Sequence, residues 1–234
     1  MSPQAGLQEA VQALRSTRLF NALDPSSILG LAMVSKQRVY GRGQYLWYQG
    51  DAGDRLAVIC SGLVKVVLTS EQGNEIVLAT LGEYESLGEL AILDNSPRSA
   101  SVVAVERTRV LMLPRSALLD SMVAHPPVLE AVLRSLGQLV RRLTEQTGDL
   151  VFLDLGGRIA KLLLHLAEKH SPDAVQPVAL RVGLSQSDIA AMVGATRPAV
   201  NRILQVFASR GLISMDGRAI VLRDLPALRR RAGL

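Results

Sequence analysis

The spacing of hydrophobic positions changes several times along the chain. Leu7 to Leu14 and Pro25 to Val34 read as helical stretches, with Ser26 and Ser27 near the second start. From about 36 to 113 the texture becomes β-prone: RLAVICSG, LVKVVLTS, EIVLATLG, ASVVAV and RVLMLP alternate with glycine turns at Gly43, Gly50, Gly62, Gly73 and Gly82. Turns roughly 7–12 residues apart predict an antiparallel sandwich or barrel. Gln72-Gly73-Asn74 predicts a hairpin between two of the runs. Residues 115–152 return to helical spacing. Leu118, Leu119, Met122 and Val123 precede a His125-Pro126-Pro127 break. A stripe follows through Val128, Leu129, Val132, Leu133, Leu136, Leu139, Val140 and Leu143, whose spacings of three and four make one apolar face on a long helix. Such a face suits either a dimer seam or packing on the chain's own β domain.

Asp154 stands before a Leu155-Gly156-Gly157 break, placed as a hinge and as a cap for a helix from Arg158 to about His170. Residues 171–177 read as a loop. The segment SQSDIAAMVGATRPAVNRIL, 185–204, reads as two helices around a tight turn, a helix-turn-helix. Ser185 and Asp188 form a capping pair, and small Ala190 permits a close crossing. Gly194 supplies a positive φ, Thr196 caps the second helix, and Pro198 fits its first turn. Val200, Ile203, Leu204 and Phe207 point inward, which leaves Arg197, Asn201 and Arg202 outward. An ordinary core hairpin is the plainer alternative. GLISMDGRAIVL predicts two strands around Asp216-Gly217, a wing able to lay Arg218 beside a phosphate.

Charge sharpens this picture. Gly156 to Leu234 holds 12 Lys/Arg against 5 Asp/Glu, a balance of +7, while the remainder is −2. A basic segment joined to a near-neutral one points to a polyanionic partner for the basic part. Arg229, Arg230 and Arg231 read as a solvated tail or phosphate contact. The one cysteine, Cys60, lies in an apolar run and reads as a buried thiol; alone it supports no disulfide, cysteine-ligated cluster or zinc site. The histidines His125, His165 and His170 lack companion ligands, so no metal is expected. No nucleophile elbow, phosphate loop or ligand cluster suggests an enzyme. No segment resembles a signal peptide or a bilayer span, so a cytoplasmic protein without membrane contact is expected.

Between two strands lies Gly88-Glu89-Leu90-Ala91-Ile92-Leu93-Asp94-Asn95-Ser96-Pro97-Arg98-Ser99-Ala100-Ser101. Gly88 allows close backbone approach, and the following turn offers N–H groups to an anion. Arg98 presents a planar fork suited to phosphate. Glu89 can accept from a sugar hydroxyl and Ser99 can donate to phosphate. A loop ion pair between Glu89 and Arg98 is the alternative.

On these residues nearly the whole chain, from about Leu19 to Leu222, resembles the cyclic-AMP receptor protein / fumarate-nitrate reduction regulator (Crp/Fnr) family of bacterial transcription factors. YLWYQGDAGDRLAVICSGLVKVV resembles its β-roll, and GELAILDNSPRSAS its phosphate-binding cassette. VRRLTEQTGDLVFLDLGGRIAKLLLHLA resembles its dimerisation helix and hinge. The resemblance implies an α+β chain: a cyclic-nucleotide-binding β-roll (jelly-roll) with N-terminal helices over 1–114, a dimerisation helix and hinge over 115–154, and a winged helix-turn-helix over 155–234. It implies cyclic AMP as effector, held by Gly88, Glu89, Leu90, Ala91, Arg98 and Ser99, with Leu143 and Thr144 toward the base. Homodimerisation would use Val132, Leu133, Leu136, Leu139, Val140 and Leu143, with Asp154 as the hinge. A near-palindromic operator in double-stranded DNA would meet Ser185, Gln186, Ser187, Thr196, Arg197, Asn201, Arg202 and Arg218, and RNA polymerase would be a further partner. Two departures stand out. Leu143 and Thr144 occupy positions where cyclic-AMP receptors have two hydroxyl residues, and Pro198 replaces a base-reading glutamate. Regulation without nucleotide, another effector, or an adaptor role without DNA are the competing expectations.

Overall fold

The computed structural model describes residues 3–73, 75–170, 178–180, 185–216 and 219–234. Packing divides the chain into two bodies, one up to Val140 and one from Arg141 onward. The division falls within the long helix, whereas the sequence boundaries at 114/115 and 154/155 treat that helix as a part of its own.

The first body opens with α1 (Pro3–Ser16) and α2 (Pro25–Val34). Asp24 caps α2, accepting from the backbone N–H groups of Ser26 and Ser27 at 2.9 and 3.1 Å. Then come β1 (Lys36–Tyr40), β2 (Tyr45–Trp47), β3 (Arg55–Ser61), β4 (Val64–Thr69), β5 (Glu75–Leu81) and β6 (Ser86–Leu87). A short helix α3 (Glu89–Leu93) precedes β7 (Ser101–Ala104), β8 (Thr108–Pro114), α4 (Arg115–Ala124) and α5 (Pro126–Phe152). The strands form two antiparallel sheets, in the orders β1-β8-β3-β6 and β2-β7-β4-β5.

Alternation along β3 decides how the layers stack. Ala57 and Ile59 face the second sheet, meeting Trp47, Val64 and Val102. Leu56, Val58 and Cys60 face the helices, meeting Leu14, Phe20 and Ile28. Both faces are therefore buried, which explains why RLAVICSG is a continuous apolar run. Each fully buried Leu, Ile or Phe contributes about 1.5–3 kcal/mol. Cys60 is buried as expected, and burial pushes its thiol up to about 12. The β4–β5 pairing brings Thr69 opposite Glu75, so the chain reverses there as expected; Gly73 has φ +79°, and Asn74 lies outside the described residues.

The stripe on α5 divides. Val128 and Val132 are buried in the first body's core. Val132, expected beside Leu133 on a shared seam, is thus spent on its own body. Leu129, Leu133, Val140, Leu143 and Leu150 are exposed, and Leu136 and Leu139 are half-buried. Leucines recur every seven residues at 129, 136, 143 and 150, the period of a coiled-coil seam.

The second body holds the end of α5, then α6 (Leu155–His170), β9 (Val178–Leu180), α7 (Gln186–Val193), α8 (Arg197–Ser209), β10 (Ile213–Asp216), β11 (Ala219–Leu222) and α9 (Leu225–Arg231). β10, β11 and β9 make an antiparallel sheet. Ile159, Leu163, Val200, Leu204, Phe207 and Leu228 join its core. Arg229, Arg230 and Arg231, expected as a solvated tail or phosphate contact, are exposed but lie in the last turn of a packed helix, α9. Asp224 accepts from Ala227 N–H at 2.8 Å, Pro226 sits in the first turn, and Leu228 is fully buried. Among the described residues no helix is long and apolar enough to cross a membrane.

Gly62, between β3 and β4, has φ +98°, and a Cβ there would lie 2.6 Å from Thr108 Oγ1 and 2.8 Å from Arg107 O. Gly62→Ala should cost about 1–3 kcal/mol, from backbone strain and overpacking together. Urea unfolding measures this directly; an unshifted midpoint would reject the strain assigned to this turn.

Candidate anion pocket and helix-turn-helix face

Strand β6 ends at Gly88, whose φ of +96° and ψ of 10° turn the chain into α3. Asp94 and the left-handed Asn95 end that turn, with Asp94 Oδ1 accepting from Ser96 N–H at 3.0 Å. The chain then reaches Arg98, whose backbone is pinned to the 48–51 loop. Its N–H donates to Asp51 O at 2.8 Å, and its carbonyl accepts from Gly50 N–H at 2.9 Å.

The Arg98 side chain is 5% exposed. Its Nη1 donates to Gly88 O at 3.0 Å and its Nη2 to Arg55 O at 2.6 Å. Its Cζ lies 4.0 Å from the centroid of the Trp47 ring. Nε is buried and has no hydrogen-bond acceptor among the described residues. Burial pushes the guanidinium pKa down, and the carboxylates of Asp54, Glu89 and Asp51 oppose that shift. A Cβ on Gly88 would lie 2.5 Å from Arg98 Nη1, so the glycine is required by the arginine as well as by the turn. Glu89 is half-buried, Leu90 and Ser99 are exposed, and Ala91 is buried. Ala91 packs toward Gly53, where a Cβ would lie 2.2 Å from its own, so its side chain faces the protein. Leu143 and Thr144 are exposed on α5, in the second body.

In the second body Ser185 and Asp188 make the expected capping box. Ser185 Oγ accepts from Asp188 N–H at 3.2 Å, and Asp188 Oδ2 accepts from Ser185 N–H at 2.8 Å. Gly194 closes α7 at φ +63°, its N–H donating to Ala190 O. Thr196 takes the cap position of α8, but its side chain makes no capping bond. Pro198 occupies the first turn instead, with φ already set for a helix. Thr196, Arg197, Pro198 and Arg202 are exposed, Asn201 is half-buried, and Val200, Leu204 and Phe207 are buried. Ser185 and Ser187 are exposed and Gln186 is half-buried. Arg218 and the Gly217 turn lie outside the described residues, although β10 and β11 pair as a hairpin would require.

Asp154 caps α6, accepting from Gly157 N–H at 2.8 Å. It also accepts two bonds from Arg231 Nη2, at 2.7 and 2.6 Å. The expected glycine break is a first helical turn. Gly156 and Gly157 give room rather than freedom: a Cβ on Gly156 would lie 2.5 Å from Arg231 Nη2, and one on Gly157 would lie 3.2 Å from Arg231 O. Lys161 Nζ meets Asp149 Oδ1 at 2.7 Å, which ties α6 to the end of α5. Sequence reasoning missed Arg231 as the partner of Asp154. The Asp224–Pro226 start signal could have revealed its helix, though not its partner.

The family model described as cyclic nucleotide-binding domain matches residues 37–125, and that described as Crp-like helix-turn-helix domain matches 157–231. The CRP-like cAMP-activated global transcriptional regulator of Mycobacterium tuberculosis is 34% identical over 221 residues, covering 94% of this chain and 99% of its own. The cyclic AMP receptor protein of Thermus thermophilus is 31% identical, covering 92% and 96%. Among solved structures, CLP, a c-di-GMP responsive global regulator from Xanthomonas campestris, superposes with a TM-score of 0.75 at 24% identity, covering 86% of this chain and all of its own; at that identity it shows the fold alone.

Hydrogen bonds from Arg231 and from Gly157 N–H hold the Asp154 carboxyl below its ordinary 3.8. A depressed carboxylate adds stability above its unfolded pKa and loses it as pH falls through the folded one. Arg231→Ala should therefore lower the melting temperature at neutral pH, with the gap to wild type closing as pH falls below 3.8. Melts across pH test this; a gap that persists unchanged in acid would remove the ion pair as its cause.

Proposed function

Because the chain belongs to the Crp/Fnr family of transcription regulators, we propose that it is a cytoplasmic homodimer whose binding to a near-palindromic operator is controlled by cyclic AMP. The family membership makes it a DNA-binding regulator with a cyclic nucleotide-binding domain, and not an enzyme. Arg98 supports the effector reading: it is a buried guanidinium whose Nε–H has no acceptor among the described residues, beside a glycine that leaves it room. An anionic phosphate matches that fork in charge and geometry. Glu89 is assigned to the ribose hydroxyl and Ser99 to the phosphate, with Gly88, Leu90 and Ala91 supplying backbone. By the resemblance, Leu143 and Thr144 meet the base. The cyclic-AMP regulators of Mycobacterium tuberculosis and Thermus thermophilus, with 31–34% identity over most of the chain, favour that nucleotide.

Dimerisation is assigned to the apolar face of α5 that the first core leaves uncovered or only partly covered, through Leu133, Leu136, Leu139, Val140 and Leu143. Nucleotide binding to each β-roll alters this helix and the Asp154 hinge, and with them the spacing of the paired α8 helices. Effector and operator then strengthen one another by the same factor. Arg197 and Arg202 are assigned to guanine edges in the major groove. Ser185, Ser187, Thr196 and Arg218 are assigned to phosphates, with Gln186 and Asn201 as further DNA contacts. The Thr196 hydroxyl, which makes no capping bond, suits such a contact. RNA polymerase is the further partner, recruited or blocked according to where the operator lies.

Calorimetric titration of nucleotide-stripped protein with cyclic AMP, and with cyclic GMP in parallel, tests the effector. Saturable binding is expected for cyclic AMP. Arg98→Ala should weaken it by roughly 10- to 100-fold, the worth of charged hydrogen bonds, with the melting transition retained. Unchanged affinity would reject the pocket assignment.

Operator discrimination offers a second test. Arg202→Ala should lose about 1–3 kcal/mol of preference at one base pair. If all sequences weakened equally and the salt slope fell by about one, Arg202 would be a phosphate contact instead.

A further inference from the structure

We infer that Trp47 is a positioning residue for the anion-binding arginine: its indole face is the platform on which Arg98 is stacked and aimed. This rests on the cyclic-nucleotide reading of the pocket and names the residue that makes Arg98 ready for its ligand.

The geometry is layered. Trp47, the chain's one tryptophan, stands on β2, whose pairing with β7 brings it opposite Val102. Its Nε1–H donates to Ala100 O at 3.2 Å, which fixes the ring within the sandwich core. Arg98 lies over that ring. Gly88 closes the stack: a Cβ added there would lie 2.5 Å from Arg98 Nη1 and 3.3 Å from Trp47 Cη2. The guanidinium is therefore held among an indole face, a glycine backbone and two main-chain carbonyls.

Those partners differ in kind from a carboxylate clamp. Carbonyl dipoles and a π face stabilise a cation without neutralising it. The arginine keeps its charge and a buried Nε–H without a hydrogen-bond acceptor among the described residues. A cyclic phosphate oxygen could accept that N–H and meet the charge. Ordering the long side chain beforehand removes an entropy cost that binding would otherwise bear. An aliphatic residue at position 47 would fill space but offer no quadrupole, whereas phenylalanine would offer a weaker one.

The test titrates cyclic AMP into wild type, Trp47→Phe and Trp47→Leu, following heat and, in wild type, tryptophan emission. Because there is one tryptophan, any emission change reports the ring beneath Arg98. In wild type, emission should change in step with the heat. Trp47→Phe should bind within about threefold of wild type, and Trp47→Leu about tenfold more weakly. A core role alone would lower melting temperature and the bound fraction, leaving the affinity of the folded protein unchanged. Heat with silent emission, or wild-type affinity in folded Trp47→Leu, overturns the platform and leaves the nucleotide reading standing. Absence of heat with both cyclic AMP and cyclic GMP overturns the pocket reading and the platform with it.

Discussion

Every second side chain of β3 must satisfy a different core, and the first body is organised around that constraint. Ala57 and Ile59 belong to the sandwich, while Leu56, Val58 and Cys60 belong to the helical layer. A slip of one residue would exchange the two sets and leave small Ala57 where a larger side chain fills space. The same strand reaches the pocket, because the carbonyl of Arg55, its first residue, receives Arg98. One acceptor of the buried cation is thus placed by the register of β3, at a distance in sequence from the loop that holds the arginine.

Local signals were the legible ones. The β-runs, the α2 span, the Ser185–Asp188 box and the left-handed Gly194 depend on neighbours a few residues away, and composition reveals such neighbours. Arg98 and Gly88 are legible for the same reason, as a fork and a glycine allowing close backbone approach in one short segment. The misread features depend on distant partners. Arg231 meets Asp154 across 77 positions, and nothing in a terminal arginine run names its acceptor. Gly156-Gly157 looks like a break until the guanidinium that occupies the missing side-chain space is seen. Val132 carries the same hydrophobicity as its neighbours on the stripe, and only the packed helix shows which body it serves. Trp47 belongs to the sandwich core, and its contact with Arg98 depends on a partner 51 positions away that no local pattern names.

The second body shows that net charge overstates what faces a partner. Lys161 and Arg231 are engaged by Asp149 and Asp154, and Arg229 by Glu168. Such exposed or half-exposed pairs add little stability individually, but they redistribute the +7 balance toward the remaining cations. On α8 the geometry makes a similar division: aliphatic residues anchor one side, and Arg197 and Arg202 stand on the other with Thr196 at the start. The helix is held by its buried side and its turn, so the residues of its outer side carry little of the packing.

The missing side chain at position 156 has an evolutionary corollary. Arg231 occupies the volume that any larger residue there would need, so the two positions are bound by a size rule as well as by charge. A lineage cannot enlarge residue 156 while keeping the arginine in place, and a shorter residue at 231 would release that restriction and unpair Asp154 together. Positions at opposite ends of the second body should therefore drift as a linked set, their inheritance joined by contact though far apart in sequence.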